Sequence, residues 1–128
     1  MDRSIIRTTV AVLALVAIFA AGHAQATGNP ANGKTLFVRC AVCHKTAKDA
    51  GNGLGPNLFA IGGRKAGTVA SFAYSDAMKN SAITWSEEKL EAYITNPKAV
   101  VPGNRMAFAG LSNPAQVNDI VAYLMSLK

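Results

Sequence analysis

The chain has 128 residues, half of them apolar and 16% charged, with 13 Lys and Arg against seven Asp and Glu for a net charge of +6. That length excludes more than one small domain. Cys40 and Cys43 are the only cysteines, which excludes a disulfide framework and leaves redox, metal or haem chemistry for the pair.

In chain order, Arg3 and Arg7 form a basic start, Thr8 to Ala21 is uncharged, and Ala24-Gln25-Ala26 offers small residues for cleavage, the layout of a secretory signal. Its strongly apolar part, Val10 to Ala21, is shorter than the ~20 residues of a spanning helix, so cleavage after Ala26 is expected, with no stable membrane span afterwards. Loss of residues 1–26 leaves one domain of 102 residues, 27–128, with 11 basic and six acidic residues and a net charge of +5. Such a field favours an acidic partner and faster encounter at low salt. Nucleic acid is not expected, because the charges are scattered singly and no binding motif accompanies them.

Asn29 and Pro30 read as a helix start, a capping amide followed by a fixed φ at the first helical position. The helix should run from about Pro30 into Cys40-Ala41-Val42-Cys43-His44, with Leu36 and Phe37 apolar and Gly33 leaving room for another helix. Cys-x-x-Cys-His is the attachment sequence of a c-type haem: two thiols on one face of a helical turn reach two vinyl groups, and the histidine presents a nitrogen to the iron. A structural zinc site would be a ligand short, since the other histidine, His23, lies in the signal segment. A thioredoxin-like dithiol lacks its alternating strands and helices.

From Lys45 to Gly67 the chain is rich in Gly, Asn, Ala and Lys and reads as a loop; its glycine spacing lacks a phosphate-binding fingerprint. Ser75 to Asn80 predicts one short helix, and Thr84-Trp85-Ser86-Glu87 fits a capping box before a helix that stops ahead of Pro97. The stretch from Asn96 to Gly110 reads as another loop. Asn113, Pro114 and Gln116 then start a final helix in which Val117, Ile120, Val121, Leu124 and Leu127 share a face. No strand alternation, internal repeat or second domain is expected.

Iron in a porphyrin has a second axial position, and the soft donors available after residue 26 are Met78, Met106 and Met125. Met106 is favoured, because its irregular Pro/Gly loop leaves the backbone free to aim the thioether. A filled sixth position closes the iron to substrates and leaves outer-sphere electron transfer.

Six further runs accompany the pentapeptide: Gly55-Pro56-Asn57-Leu58, Gly63-Arg64-Lys65, Phe72-Ala73-Tyr74-Ser75, Ile83-Thr84-Trp85, Asn96-Pro97-Lys98 and Val101-Pro102-Gly103-Asn104-Arg105-Met106. Together, over nearly all of 27–128, they make the chain resemble the class I cytochromes c, in the branch of mitochondrial cytochrome c and its bacterial c2-like relatives. The resemblance implies a small all-α cytochrome c fold, with N- and C-terminal helices packed around one covalently attached haem c. It implies His44 as proximal ligand, its other ring nitrogen donating to the Pro56 carbonyl, and Met106 as distal ligand. Arg64, Tyr74 and Trp85 match the residues that hold the haem propionates, and Tyr93 the tyrosine near the methionine sulfur. Asn104 stands where threonine is common and can still donate to a propionate. Phe37 precedes Cys40 by three positions rather than the mitochondrial four, and Ala99 replaces a common lysine.

The expectation is a monomeric, soluble periplasmic carrier of single electrons, not an enzyme. Its exposed haem edge, near Lys45, Lys98 and Arg105, would dock on acidic faces of quinol-cytochrome c reductase, a terminal oxidase, a reaction centre or a dehydrogenase. Two rivals remain: a haem protein whose methionine dissociates for peroxide or a gas, and a cytochrome subunit bound permanently to a periplasmic dehydrogenase or oxidase.

Overall fold

The computed structural model describes residues 27–128. The signal segment 1–26, with its cleavage site and His23, lies outside the described residues. Among the described residues six helices run in chain order: α1 (Pro30–Leu36), α2 (Val38–Ala41), α3 (Asp76–Lys79), α4 (Glu87–Thr95), α5 (Pro97–Val100) and α6 (Pro114–Ser126). Among the described residues there is no sheet, only an isolated antiparallel bridge between Lys65 and Thr84.

The Asn-Pro starts act as their chemistry requires. Asn29 accepts from the amides of Ala31 and Asn32, and Asn113 from Gln116 N at 3.2 Å, each meeting donors that a helix start leaves unpaired. The first helix does run toward the cysteines, but Phe37 interrupts it with ψ of −14°, and Cys40 N bonds Phe37 O at 2.8 Å. This tight turn divides α1 from α2.

Two expectations need correction. The cap of α4 is Ser86, whose Oγ accepts from Lys89 N at 3.2 Å, not Thr84. Ala66 N to Ile83 O at 2.8 Å and Trp85 N to Arg64 O at 2.9 Å hold 83–85 extended, so no helix can begin until Ser86. The stretch after Asn96 is also not loop throughout. Asn96 Oδ1 accepts from Ala99 N at 3.2 Å and Pro97 takes the first helical position, which makes α5 a third product of the Asn-Pro pair.

The packing centres on α1 against α6, with α4 on α6 and α5 on α4. Val117, Ile120, Val121 and Leu124 form the buried face of α6. Gly33 is where α1 meets it: a Cβ there would collide with the Asp119 carbonyl and stand 2.8 Å from Tyr123 Cβ. Two contacts flank the crossing, Asn29 N to Asp119 Oδ1 at 2.7 Å and the Phe37 and Tyr123 rings at 5.3 Å. The interlocked termini close one side of a cavity that the loops complete.

Candidate functional site

That cavity has a volume of about 540 Å³, inside the roughly 300–1,000 Å³ range of cofactor sites. Its floor is core: Phe37, Ile61, Leu90, Ile120 and Leu124 are buried and face it. Its rim carries Arg39, Arg64, Lys65 and Arg105, and among the described residues no acid lines it. An apolar interior with a basic rim suits a hydrophobic molecule that carries carboxylates.

Cys40, Cys43 and His44 enter the cavity together, because Cys43 N at 3.1 Å and His44 N at 2.9 Å both bond Cys40 O and continue the helical turn. The two cysteines form no disulfide with each other, and burial raises the Cys40 pKa more than Arg39 lowers it. His44 Nδ1 lies 2.8 Å from the Pro56 carbonyl oxygen. A carbonyl only accepts, so Nδ1 carries the hydrogen and Nε2 keeps its lone pair. Burial lowers the imidazole pKa against the opposing effect of that bond, which favours the neutral, ligating form. Gly55 leaves room for the ring, since a Cβ there would stand 2.8 Å from Nδ1.

Pro56 is held by a loop that has no regular structure and is ordered by asparagine amides instead. Asn57 is buried; its Nδ2 donates to Ala47 O at 2.8 Å and Gly51 O at 2.9 Å, and its Oδ1 accepts from Phe59 N at 2.8 Å. Asn52 Oδ1 accepts from Asn57 N at 2.9 Å. Nothing in the sequence beyond an Asn beside Gly-Pro signals these roles.

The other expected site residues also line the cavity. Arg64 donates through Nη1 to Phe59 O at 2.9 Å and Nη2 to Asn57 O at 3.0 Å, and burial lowers its pKa while leaving it charged. Tyr74 accepts from Val69 N at 3.3 Å and keeps its own hydrogen to donate; burial raises its pKa. Trp85 is buried against Tyr93, with ring centroids 5.0 Å apart. Asn104 lines the cavity too, yet its amide is engaged with backbone groups of its own loop. Of the three expected docking charges, all exposed, only Arg105 borders the cavity; Lys45 and Lys98 do not.

Two methionines line the cavity, Met106 and Met78, while Met125 does not and packs over Gly62 instead. Met78 is fixed within α3, whose cap Ser75 accepts from Met78 N at 3.1 Å. Met106 lies in the irregular stretch 104–113, and Arg105 beside it donates to Ala73 O at 3.1 Å across the rim.

Burial pushes the Tyr93 pKa from 10.0 up to about 12. A group bound more tightly to its proton in the folded state stabilises fully below pH 10, and that contribution is lost as pH rises through 12. The stability of the native protein relative to Tyr93→Phe should therefore fall across that window, by on the order of 2 kcal/mol. A constant difference would show that Tyr93 titrates alike folded and unfolded.

Comparison with known proteins identifies the same architecture. The family profile described as Cytochrome c matches residues 30–128. Cytochrome c2 of Rhodomicrobium vannielii is 48% identical over 101 residues, covering 79% of this chain and 81% of that protein. Cytochrome c2 of Blastochloris viridis is 43% identical over 113 residues, covering 88% and 89%. The solved structure of cytochrome cH from Methylobacterium extorquens superimposes with a TM-score of 0.72 at 42% identity, covering 76% of this chain and 97% of that one.

Proposed function

Because the chain belongs to the cytochrome c family, in its class I c2-like branch, we propose that it carries single electrons between redox proteins with an iron closed by His44 and Met106. The observation that supports this reading most is the meeting of Cys40, Cys43, His44 and Met106 at one apolar cavity with a basic rim. Haem c, when bound, supplies reversible ferric-ferrous chemistry.

The chain's residues do the rest. Cys40 and Cys43 hold the group by thioether bonds. Pro56 fixes the His44 ring, and through it the direction of the ligating lone pair. Met106 adds a neutral, soft donor that favours the reduced state. Arg64, Tyr74 and Trp85 offset propionate charge inside the protein, the first by a guanidinium already braced on two carbonyls. Held by both His44 and Met106, the iron would have no open position for a substrate and would be left to exchange electrons.

The working place is the periplasm, reached by export and cleavage after Ala26, and the working form is a monomer. Among the described residues no helix is long and apolar enough to cross a membrane. The basic rim of Arg39, Lys65 and Arg105 fits an acidic face of a quinol-cytochrome c reductase, terminal oxidase, reaction centre or dehydrogenase.

Stopped-flow mixing with an acidic redox protein tests the proposal. Reduction in a single step, at a rate that falls as ionic strength rises, with no spectral response to hydrogen peroxide, is the expected result. Peroxide turnover would replace the carrier with its enzymatic rival.

A further inference from the structure

Asn104 occupies a place where a hydroxyl would donate to a haem carboxylate, but its hydrogens point elsewhere. Nδ2 donates to Pro97 O at 3.1 Å and Val101 O at 2.9 Å, while Oδ1 accepts from Met106 N at 3.0 Å. An amide nitrogen has two hydrogens, so both are engaged on backbone and neither remains for a carboxylate. The residue's own N–H closes the same turn, donating to Val101 O at 3.1 Å.

We propose that Asn104 is a positioning residue for Met106, tying the methionine's backbone to the buried start and end of α5. The proposal rests on Met106 as the sixth ligand and adds what keeps it there. Its anchors are firm: Pro97 is fully buried, and Val101 is 3% exposed. The tethered segment is not, since 104–113 has no helix or strand of its own. Pro102 and Gly103, with φ of +86° at the glycine, turn the chain so that one side chain reaches both carbonyls and the amide two residues ahead. A threonine, with one hydroxyl hydrogen, cannot supply both donor bonds. A thioether is a weak neutral ligand, so the backbone that holds it near the iron governs how often an external ligand takes its place.

Spectral titration of the ferric haem protein with imidazole measures that competition. Asn104→Thr keeps a donor for a carboxylate and loses the double tie; Asn104→Asp keeps the acceptor for Met106 N and loses both donors. Both variants should bind imidazole about tenfold more tightly or more, as loss of two hydrogen bonds implies. Asn113→Ala, which removes the α6 cap and leaves 97–106 intact, should lower the denaturation midpoint without that gain.

Unchanged imidazole affinity in Asn104→Thr would overturn the positioning role, as would an equal gain in Asn113→Ala. Failure of the ligand assignment itself would be visible separately, as native ferric protein with no sulfur-to-iron charge-transfer band.

Discussion

Prepared without its haem, the chain of residues 27–128 is expected to lose cooperative folding. Seven of the eleven buried apolar residues, among them Phe37, Ile61, Leu90, Ile120 and Leu124, face the cavity of about 540 Å³. At roughly 24 cal/mol per Å³, a void of that size would cost up to ~13 kcal/mol, against the 5–15 kcal/mol that holds a whole domain together. Water entering from the open side lowers the figure, but it then wets the core instead. A domain of this length has little surplus burial to offset either outcome. Circular dichroism and denaturant titration of the unhaemylated Cys40→Ala/Cys43→Ala chain should show low helicity and no sharp transition. A cooperative, helical apoprotein would mean that the α1–α6 pair and its neighbours suffice alone.

Gly33→Leu should be nearly as damaging with the haem in place. Replacing glycine inside a helix normally gains up to ~1 kcal/mol of helix propensity. Here the first side-chain atom would run into the backbone of α6 at Asp119 and into Tyr123 Cβ, neither of which can swing aside. Overpacking of this kind costs ~1–3 kcal/mol even when neighbours yield, so the collision wins. Moving the helices apart would also stretch the Asn29–Asp119 bond and part Phe37 from Tyr123. A loss of 3 kcal/mol or more is expected for leucine and a smaller loss for Gly33→Ala, read as denaturation midpoints. Unchanged stability in Gly33→Ala would show that α1 and α6 have slack at their crossing.

Much of this arrangement could be read before any coordinates. The helix starts at Pro30 and Pro114 follow from local chemistry, because the Asn cap and the proline both act within three residues. The same pair at Asn96-Pro97 went unused only because the surrounding prolines and glycine suggested loop. Thr84 shows the opposite limit: its spacing to Glu87 fits a cap, but partners 20 residues earlier in sequence, around Arg64 to Ala66, hold it extended. No local pattern contains that pairing.

The site divides in the same way. That Cys40, Cys43 and His44 meet at one cavity was legible, because one turn contains them; Met106 stands there beside Met78. The backbone contacts of Asn57 and Asn104 were not legible, since an asparagine in a loop is ordinarily a solvated turn residue, and Asn104 was expected only as a propionate donor. Their importance lies in which carbonyls their amides meet, and those carbonyls come from neighbouring turns that only the folded backbone assembles.

The near-infrared absorption of ferric protein at neutral pH tests the closed iron most directly. The expected result is a sulfur-to-iron charge-transfer band that survives Met78→Ala and disappears in Met106→Ala. A high-spin native spectrum without the band, or a band lost on replacing Met78 and kept without Met106, would contradict it.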